Sequence, residues 1–220
     1  MSINKEDGEK FQTLFTENLN DDTALSDKQK AVLFASLTLF SQNGFDRTNT
    51  KDIALLAGVA EGTVYKQFKT KEGILKGILD PVIKTIVPKT INDFINSMVN
   101  TSYPSFEKFL YAIIKNRMTF IFDNLPQIKI LLHEILTDQE LLAEMTKNIS
   151  ESSANQFLVV LKHYQENGEL VNWEPTRIIQ YILAINVSYV LPTIINSQSK
   201  INLDSACLEA TEFLLKGLTP

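Results

Sequence analysis

Two short clusters of hydrogen-bonding side chains stand out in a chain otherwise patterned by apolar residues. The first is Thr48, Asn49, Thr50 and Lys51. The second is Glu61, Gly62, Thr63, Tyr65, Lys66 and Gln67, followed by Lys69 and Lys71. Neither cluster holds a nucleophile elbow, a glycine-rich phosphate loop or a metal-ligand set, so the chemistry on offer is binding and not turnover. The hydroxyls of Thr48 and Thr50, with Asn49 and the open backbone N–H groups of a helix starting at Thr50, suit a phosphate. Thr63 offers a hydroxyl to phosphate and a methyl to a thymine methyl. Lys66 suits guanine O6/N7, Gln67 suits adenine N6/N7, and Glu61 can accept from cytosine N4 or repel wrong sites. Gly62 lets the backbone approach closely.

Such groups act only if short helices aim them. Apolar spacing predicts a first helix over Asp27–Asn43, capped by Ser26 or Asp27, with Val32, Ala35, Leu39 and Phe40 buried and Gly44 as a left-handed cap. A second follows over Thr50–Ala57, where Asn49 and Asp52 have cap spacing and Ile53, Ala54 and Leu56 face inward. Gly58 makes the turn and Val59 plugs the angle. The third, Glu61–Phe68, is anchored by Val64 and Phe68, which leaves its polar residues outward or at the edges. Thr70 caps a fourth helix, which Pro81 and Pro88 kink or end.

The bulk numbers fit this division. The net charge is −5, yet residues 26–75 hold seven bases and five acids, an excess of +2, and the remainder carries −7. The positive excess is confined to one segment, and the acid elsewhere discourages nucleic acid from touching the wrong face. A single cysteine, Cys207, excludes an intramolecular disulfide, reads as a free core thiol and suits a reducing cytoplasm. No apolar signal segment opens the chain, and the apolar run Tyr181–Ile195, interrupted by Asn186, Ser188 and Pro192, reads as too short to span a bilayer. His133 and His163 fall on different predicted helices and form no ligand set, so no metal or other cofactor is expected.

The first 25 residues are acidic and polar. Phe11, Leu14, Phe15 and Leu19 nevertheless form one helical stripe, leaving a frayed tail and an extra packed helix both open. Beyond residue 70 the pattern is helical throughout, over 105–124, from Pro126, over 146–167, 174–197 and 204–218. Arg117 shares a helix face with Phe106, Leu110, Ile113 and Phe120; it pairs with an acid such as Glu134 or serves as counter-charge to an anionic ligand. Tyr111, Met118, Phe122, Phe157, Tyr164, Tyr181, Asn186 and Tyr189 are candidate pocket residues that core packing explains equally well. Trp173 reads as a packing anchor. The 174–197 helix is apolar nearly all round, which calls for a core on one side and a partner subunit on the other. Ile178, Ile182, Ala206, Ala210, Phe213 and Leu214 are the candidate seam.

Residues 32–75 resemble the TetR family of bacterial transcriptional regulators. The matching motifs are Leu39-Phe40, Gly44-Phe45, Thr48-Asn49-Thr50, Asp52-Ile53-Ala54, Ala57-Gly58-Val59, Gly62-Thr63-Val64-Tyr65, Phe68, Lys71-Glu72 and Ile74-Leu75. The resemblance implies an all-α fold: an N-terminal extension over 1–25, a three-helix helix-turn-helix DNA-binding domain over 26–70 with its recognition helix at about 61–68, and a larger helical ligand-binding and dimerisation domain over 71–220. It implies that Lys51 reaches a base or phosphate, that Tyr65 and Lys71 hold phosphates, and that the last two helices pair with their copies in a four-helix seam. The function implied is a cytoplasmic repressor that binds a pseudo-palindromic operator as a homodimer and is released by a small, hydrophobic effector; a body that binds a protein partner is the alternative. Departures are Gln29 where the family often has Arg, Ser36 for Ala, the acidic Glu61, and Ala60 in place of a Ser cap, a loss of about 1 kcal/mol to the recognition helix.

Overall fold

The computed structural model describes residues 6–137, 141, 143, 147, 151–195 and 201–220. Its elements are α1 (Glu6–Asp21), α2 (Asp27–Asn43), α3 (Thr50–Ala57), α4 (Glu61–Phe68), α5 (Lys71–Pro81), a π-helical turn (Val82–Ile86), α6 (Val87–Asn100), α7 (Phe106–Asp123), α8 (Leu125–Thr137), α9 (Glu151–Glu166), α10 (Pro175–Ile195) and α11 (Leu203–Leu218). The fold is all-α, as the periodicity requires. The chain divides into two compact units, one of residues 1–89 with 124–148, the other of 90–123 with 149–220.

In the first unit, α2 opens on a full capping box between Ser26 and Gln29. Val32, Ala35 and Phe40 are buried, along with Ile53, Val64, Ile74 and Ile78 from α3 to α5. Gly44 ends α2 at φ 85°, ψ 157°, a positive-φ extended geometry and not the left-handed helical one expected. The open choice at the N-terminus resolves to a helix. Phe15 and Leu19 of α1 are fully buried, with the Phe15 ring edge-on to Phe34 at 5.8 Å. Burying two such side chains stabilises by roughly 3–6 kcal/mol before ordering costs. Lys30 Nζ donates to the Asn20 carbonyl at 2.9 Å, placing a cation at the C-terminal end of α1. The side chains of Phe11 and Leu14 lie outside the described residues.

Neither Pro81 nor Pro88 stops the fourth helix. α5 runs through the π-helical turn, where the Val87 N–H donates to the Val82 carbonyl, into α6. A proline ring at 88 would collide with the carbonyl of residue 84 in a regular α-helix. Widening the preceding turn by one residue relieves that collision. Pro126 sits at the second position of α8, where its missing N–H costs nothing. α8 packs against α2.

The second unit is built around α7. Phe106, Phe109, Leu110 and Ile113 are buried there, and α7 packs against α10 and α11. The Phe106 N–H donates to Glu169 Oε2 at 2.8 Å, so a carboxylate 63 residues away satisfies the first turn of α7. Cys207 is a buried free thiol whose pKa is raised to about 11 by burial. α10 is apolar on both faces but buried on one only. Ile178, Ile182, Asn186 and Val190 face inward, whereas Tyr181, Leu183, Val187, Leu191 and Ile195 are exposed. With 21 residues it is, by length and composition alone, long enough to cross a membrane, which corrects the shorter run read from sequence; one stripe of it is nevertheless buried within the chain, and α10 packs against α7.

Candidate nucleic-acid interface

The helix-turn-helix has a capped first helix and an uncapped second one. Asn49 Oδ1 accepts from the Asp52 N–H at 2.8 Å and fixes the start of α3. Gly58, at φ 67° and ψ 31°, takes the left-handed conformation after α3, and an added Cβ would meet nothing within 4 Å. Glycine is needed there for the backbone angle, not for space. Ala60 has the extended backbone of an N-cap but gives α4 no side-chain cap, as expected.

α4 is anchored by Val64, which is buried, and by half-buried Phe68. Glu61, Gly62, Tyr65, Lys66 and Lys69 are exposed, and Thr63 and Gln67 lie at the edges. Lys51, at the start of α3, is exposed as well. The structure therefore gathers most of the sequence-predicted contact residues on the open side of α3 and α4. Leu56 is the exception among the predicted anchors. It is 54% exposed, because Ile53, Ala54 and Ala57 take the inward arc of this two-turn helix and leave Leu56 at its edge.

Three residues have structural partners that the sequence did not reveal. Thr48 is 2% exposed, and its hydroxyl lies 2.9 Å from the Gly44 carbonyl and 3.3 Å from that of Leu39. It staples the α2–α3 turn and is turned away from the surface where a phosphate would sit. Lys71 Nζ donates to the carbonyls of Phe45 at 2.9 Å, Thr48 at 3.2 Å and Asp46 at 3.4 Å, and stands 4.2 Å above the Phe45 ring. An ammonium has three protons, so this geometry uses all of them on the same turn. Thr50 Oγ1 donates to Glu61 Oε1 at 3.0 Å and lies 3.0 Å from the Tyr65 hydroxyl, tying the start of α3 to α4.

Two backbone features set the exit from α4. Lys69 adopts φ 63°, ψ −47°, and the Thr70 N–H reaches back to the Phe68 carbonyl at 2.7 Å. That is a γ-turn at a non-glycine residue, a strained form. Thr70 then caps α5 through the Gly73 N–H at 3.0 Å. A Cβ at Gly73 would run into the Phe68 carbonyl oxygen, so α5 begins this close to the end of α4 only with glycine there.

The other predicted sites sort differently. Met118, Phe157, Tyr164 and Asn186 are buried; Arg117, Tyr111, Phe122 and Tyr189 are half-buried; Tyr181 is exposed. Phe109 lies 5.9 Å from Phe157 and 5.2 Å from Tyr164, so those rings cover one another as core. Arg117 stacks on Phe94 at 3.9 Å and bonds Asn116 Oδ1; Glu134 belongs to the other unit. Of the predicted seam, Ile178, Ile182, Ala206, Ala210 and Leu214 are buried inside their own chain, and Phe213 alone is exposed, at 69%. Those five side chains are already covered within their own chain and have little area left to offer a second surface. Trp173 packs its ring under Arg177 at 4.3 Å and beside Tyr181 at 6.0 Å. His133 and His163 are exposed, and among the described residues no group of His, Cys, Asp or Glu is arranged to hold a metal ion.

An uncapped short helix, pinned by two apolar residues and presenting Lys, Gln, Thr and Gly to solvent behind a glycine turn, defines a helix-turn-helix protein. Residues 32–78 match the model of the bacterial regulatory proteins of the tetR family. Over these residues the chain carries the helix-turn-helix of TetR-family transcriptional regulators. It is 30% identical over 97 residues to the HTH-type transcriptional repressor KstR2 of Rhodococcus jostii, covering 40% of this chain and 48% of that protein. It is 22% identical over 191 residues to the fatty acid metabolism regulator protein of Bacillus subtilis, covering 87% and 95%. The crystal structure of the transcriptional regulator FadR from Bacillus subtilis in complex with stearoyl-CoA superposes with a TM-score of 0.57 at 21% identity, covering 85% of this chain and 97% of that one, a likeness of fold. The matches to the first curated relatives span about a quarter to a half of their length.

Proposed function

We propose that this chain is a cytoplasmic transcriptional repressor that binds a pseudo-palindromic DNA operator as a homodimer through α3 and α4 and lets go when a hydrophobic acyl ligand enters its helical body. The observation that carries the reading is the open face of α4. Lys66 and Gln67 suit base edges, Thr63 and Lys69 suit phosphates, and Gly62 admits close approach, with Val64 and Phe68 behind them. On this reading residues 26–70 do the DNA work and residues 71–220 the ligand and dimer work.

The second copy is called for by the uncovered stripe of Tyr181, Val187, Leu191 and Ile195 on α10 with Leu208 and Phe213 on α11. A cavity of about 350 Å³ beside Trp173, Tyr181, Phe213 and Leu218 offers a socket for an apolar side chain at the same face. An acyl ligand is favoured by the near-full-length match to a fatty acid metabolism regulator and by the stearoyl-CoA held by the FadR of like fold. Arg117, stacked on Phe94 at the edge of the aromatic cluster, is the cation for its anionic end. The test is fluorescence anisotropy with a duplex from the chain's own promoter, with and without stearoyl-CoA. Salt-dependent binding that stearoyl-CoA reverses and stearate-free CoA does not is the expected result. Binding unaffected by acyl-CoA would refute the ligand assignment, and release by a protein partner instead would favour the alternative reading.

A further inference from the structure

The contact between α3 and α4 has a direction. Thr50 Oγ1 stands 3.0 Å from both Glu61 Oε1 and the Tyr65 hydroxyl. A carboxylate only accepts, so the single Thr50 proton goes to Glu61. Thr50 then has only lone pairs for its second neighbour, and Tyr65 must be the donor. The chain reads Tyr65 O–H to Thr50 O–H to Glu61 carboxylate. We propose that Glu61 is a positioning residue that turns the Tyr65 proton away from DNA and thereby sets how tightly the interface grips a phosphate.

The inference rests on the DNA-binding reading above. For Tyr65 to donate to a phosphate oxygen in the native chain, it must give up its bond to Thr50. Thr50 keeps Glu61 as acceptor and receives nothing in exchange, so one hydrogen bond is lost for each one made. Glu61 also brings its own negative charge to the surface a phosphate approaches. The substitution Glu61→Gln removes both obstacles. The amide N–H it introduces can donate to Thr50, Thr50 to Tyr65, and Tyr65 to the phosphate, with every bond retained. Tyr65 is half-exposed, so its hydroxyl is reachable in either direction. The acidic residue that looks misplaced in the sequence thus has a specific task. It weakens a sequence-independent contact, which leaves a larger share of affinity to the base-reading residues Lys66 and Gln67.

A double-mutant cycle separates this role from plain charge repulsion. The probe is a duplex of mixed sequence about 30 base pairs long, since phosphate contacts do not depend on sequence. In the native background Tyr65→Phe should change affinity by less than about twofold, because the lost proton pointed at Thr50. In the Glu61→Gln background the same substitution should cost about tenfold or more, the worth of a hydrogen bond to a charged acceptor. Thr50→Val, which breaks the chain at its middle, should also make Tyr65→Phe costly with Glu61 still present. Equal cost of Tyr65→Phe in the native and Glu61→Gln backgrounds would overturn the proposal, leaving charge alone to explain any gain from Glu61→Gln. Failure of every variant to bind the duplex would refute the DNA-binding reading and this inference with it.

Discussion

Lys71→Met separates two roles that the sequence could not distinguish. The resemblance to the family makes Lys71 a phosphate contact; the structure commits its three protons to the carbonyls of Phe45, Asp46 and Thr48. Methionine keeps the apolar stem over Phe45 and removes only the ammonium. Two of the three bonds are short enough to count fully. At the low end for a charged donor, each contributes about 1.5 kcal/mol. The cation over the Phe45 ring adds about 0.5 kcal/mol. Releasing the lysine side chain returns about 1–2 kcal/mol of conformational entropy. The expected net loss is therefore about 2 kcal/mol, a fall in Tm of about 4–8 °C for a chain of this size. Thermal denaturation measures that directly. The paired measurement is the salt dependence of DNA binding, where a lost phosphate contact would flatten the slope by about one unit. A clamp predicts a lower Tm with an unchanged slope once binding is measured well below the transition. An unchanged Tm with a flatter slope would show the turn to be held without Lys71 and would refute the clamp.

Ala60→Ser should restore the missing cap of α4 and raise stability by about 1 kcal/mol, read in urea denaturation, because residue 60 already has cap geometry. Gly73→Ala should destabilise by about 2 kcal/mol or more, where an ordinary helix position would gain from alanine, since its Cβ meets the Phe68 carbonyl. The double variant Leu191→Asp with Phe213→Asp should elute as a folded monomer in size-exclusion chromatography with light scattering, and an unchanged mass would remove the outward faces of α10 and α11 from the dimer. Cys207 should resist iodoacetamide in the folded protein at pH 8, where a thiol pushed up to about 11 is ionised to only about one part in a thousand. Because its folded pKa lies above the ordinary thiol value, its contribution to stability is full at neutral pH and is lost as pH rises from about 9 through 11.

Helix boundaries near the interface are legible in the sequence because each has a local cause. Ser26, Asn49, Thr70, Gly44 and Gly58 punctuate the chain, and a cap acts within three residues of itself. Anchors on a full-length stripe, such as Val32 and Phe40, are legible for the same reason. Periodicity misplaces Leu56 because eight residues make barely two turns, too few to separate the inward arc from its edge. Pro81 and Pro88 mislead in another way. Each reads as a breaker by itself, whereas a single widened turn accommodates the run and lets the helix continue.

Partners across the chain are the part that spacing cannot give. Periodicity states which face of a helix is apolar and says nothing of which neighbour covers it. On α10 both faces are apolar, and taking Ile178 and Ile182 as the intersubunit face is a choice between two equivalent stripes. The structure takes those two for the α7 side and leaves Tyr181, Val187 and Leu191 outward. The polar cluster follows the same logic. Thr48, Lys71 and Glu61 carry residue types that suit DNA. Their actual acceptors and donors are a turn 23–26 residues away for Lys71, the end of α2 for Thr48, and the first residue of α3 for Glu61. A polar side chain near a nucleic-acid interface is thus as readily a part of its scaffold as of its contact surface. For Lys71 and Glu61 the distinction lies in where the protons point. That is why Lys71→Met and the Glu61–Tyr65 cycle, which move protons and leave the backbone in place, are the substitutions that separate the two roles.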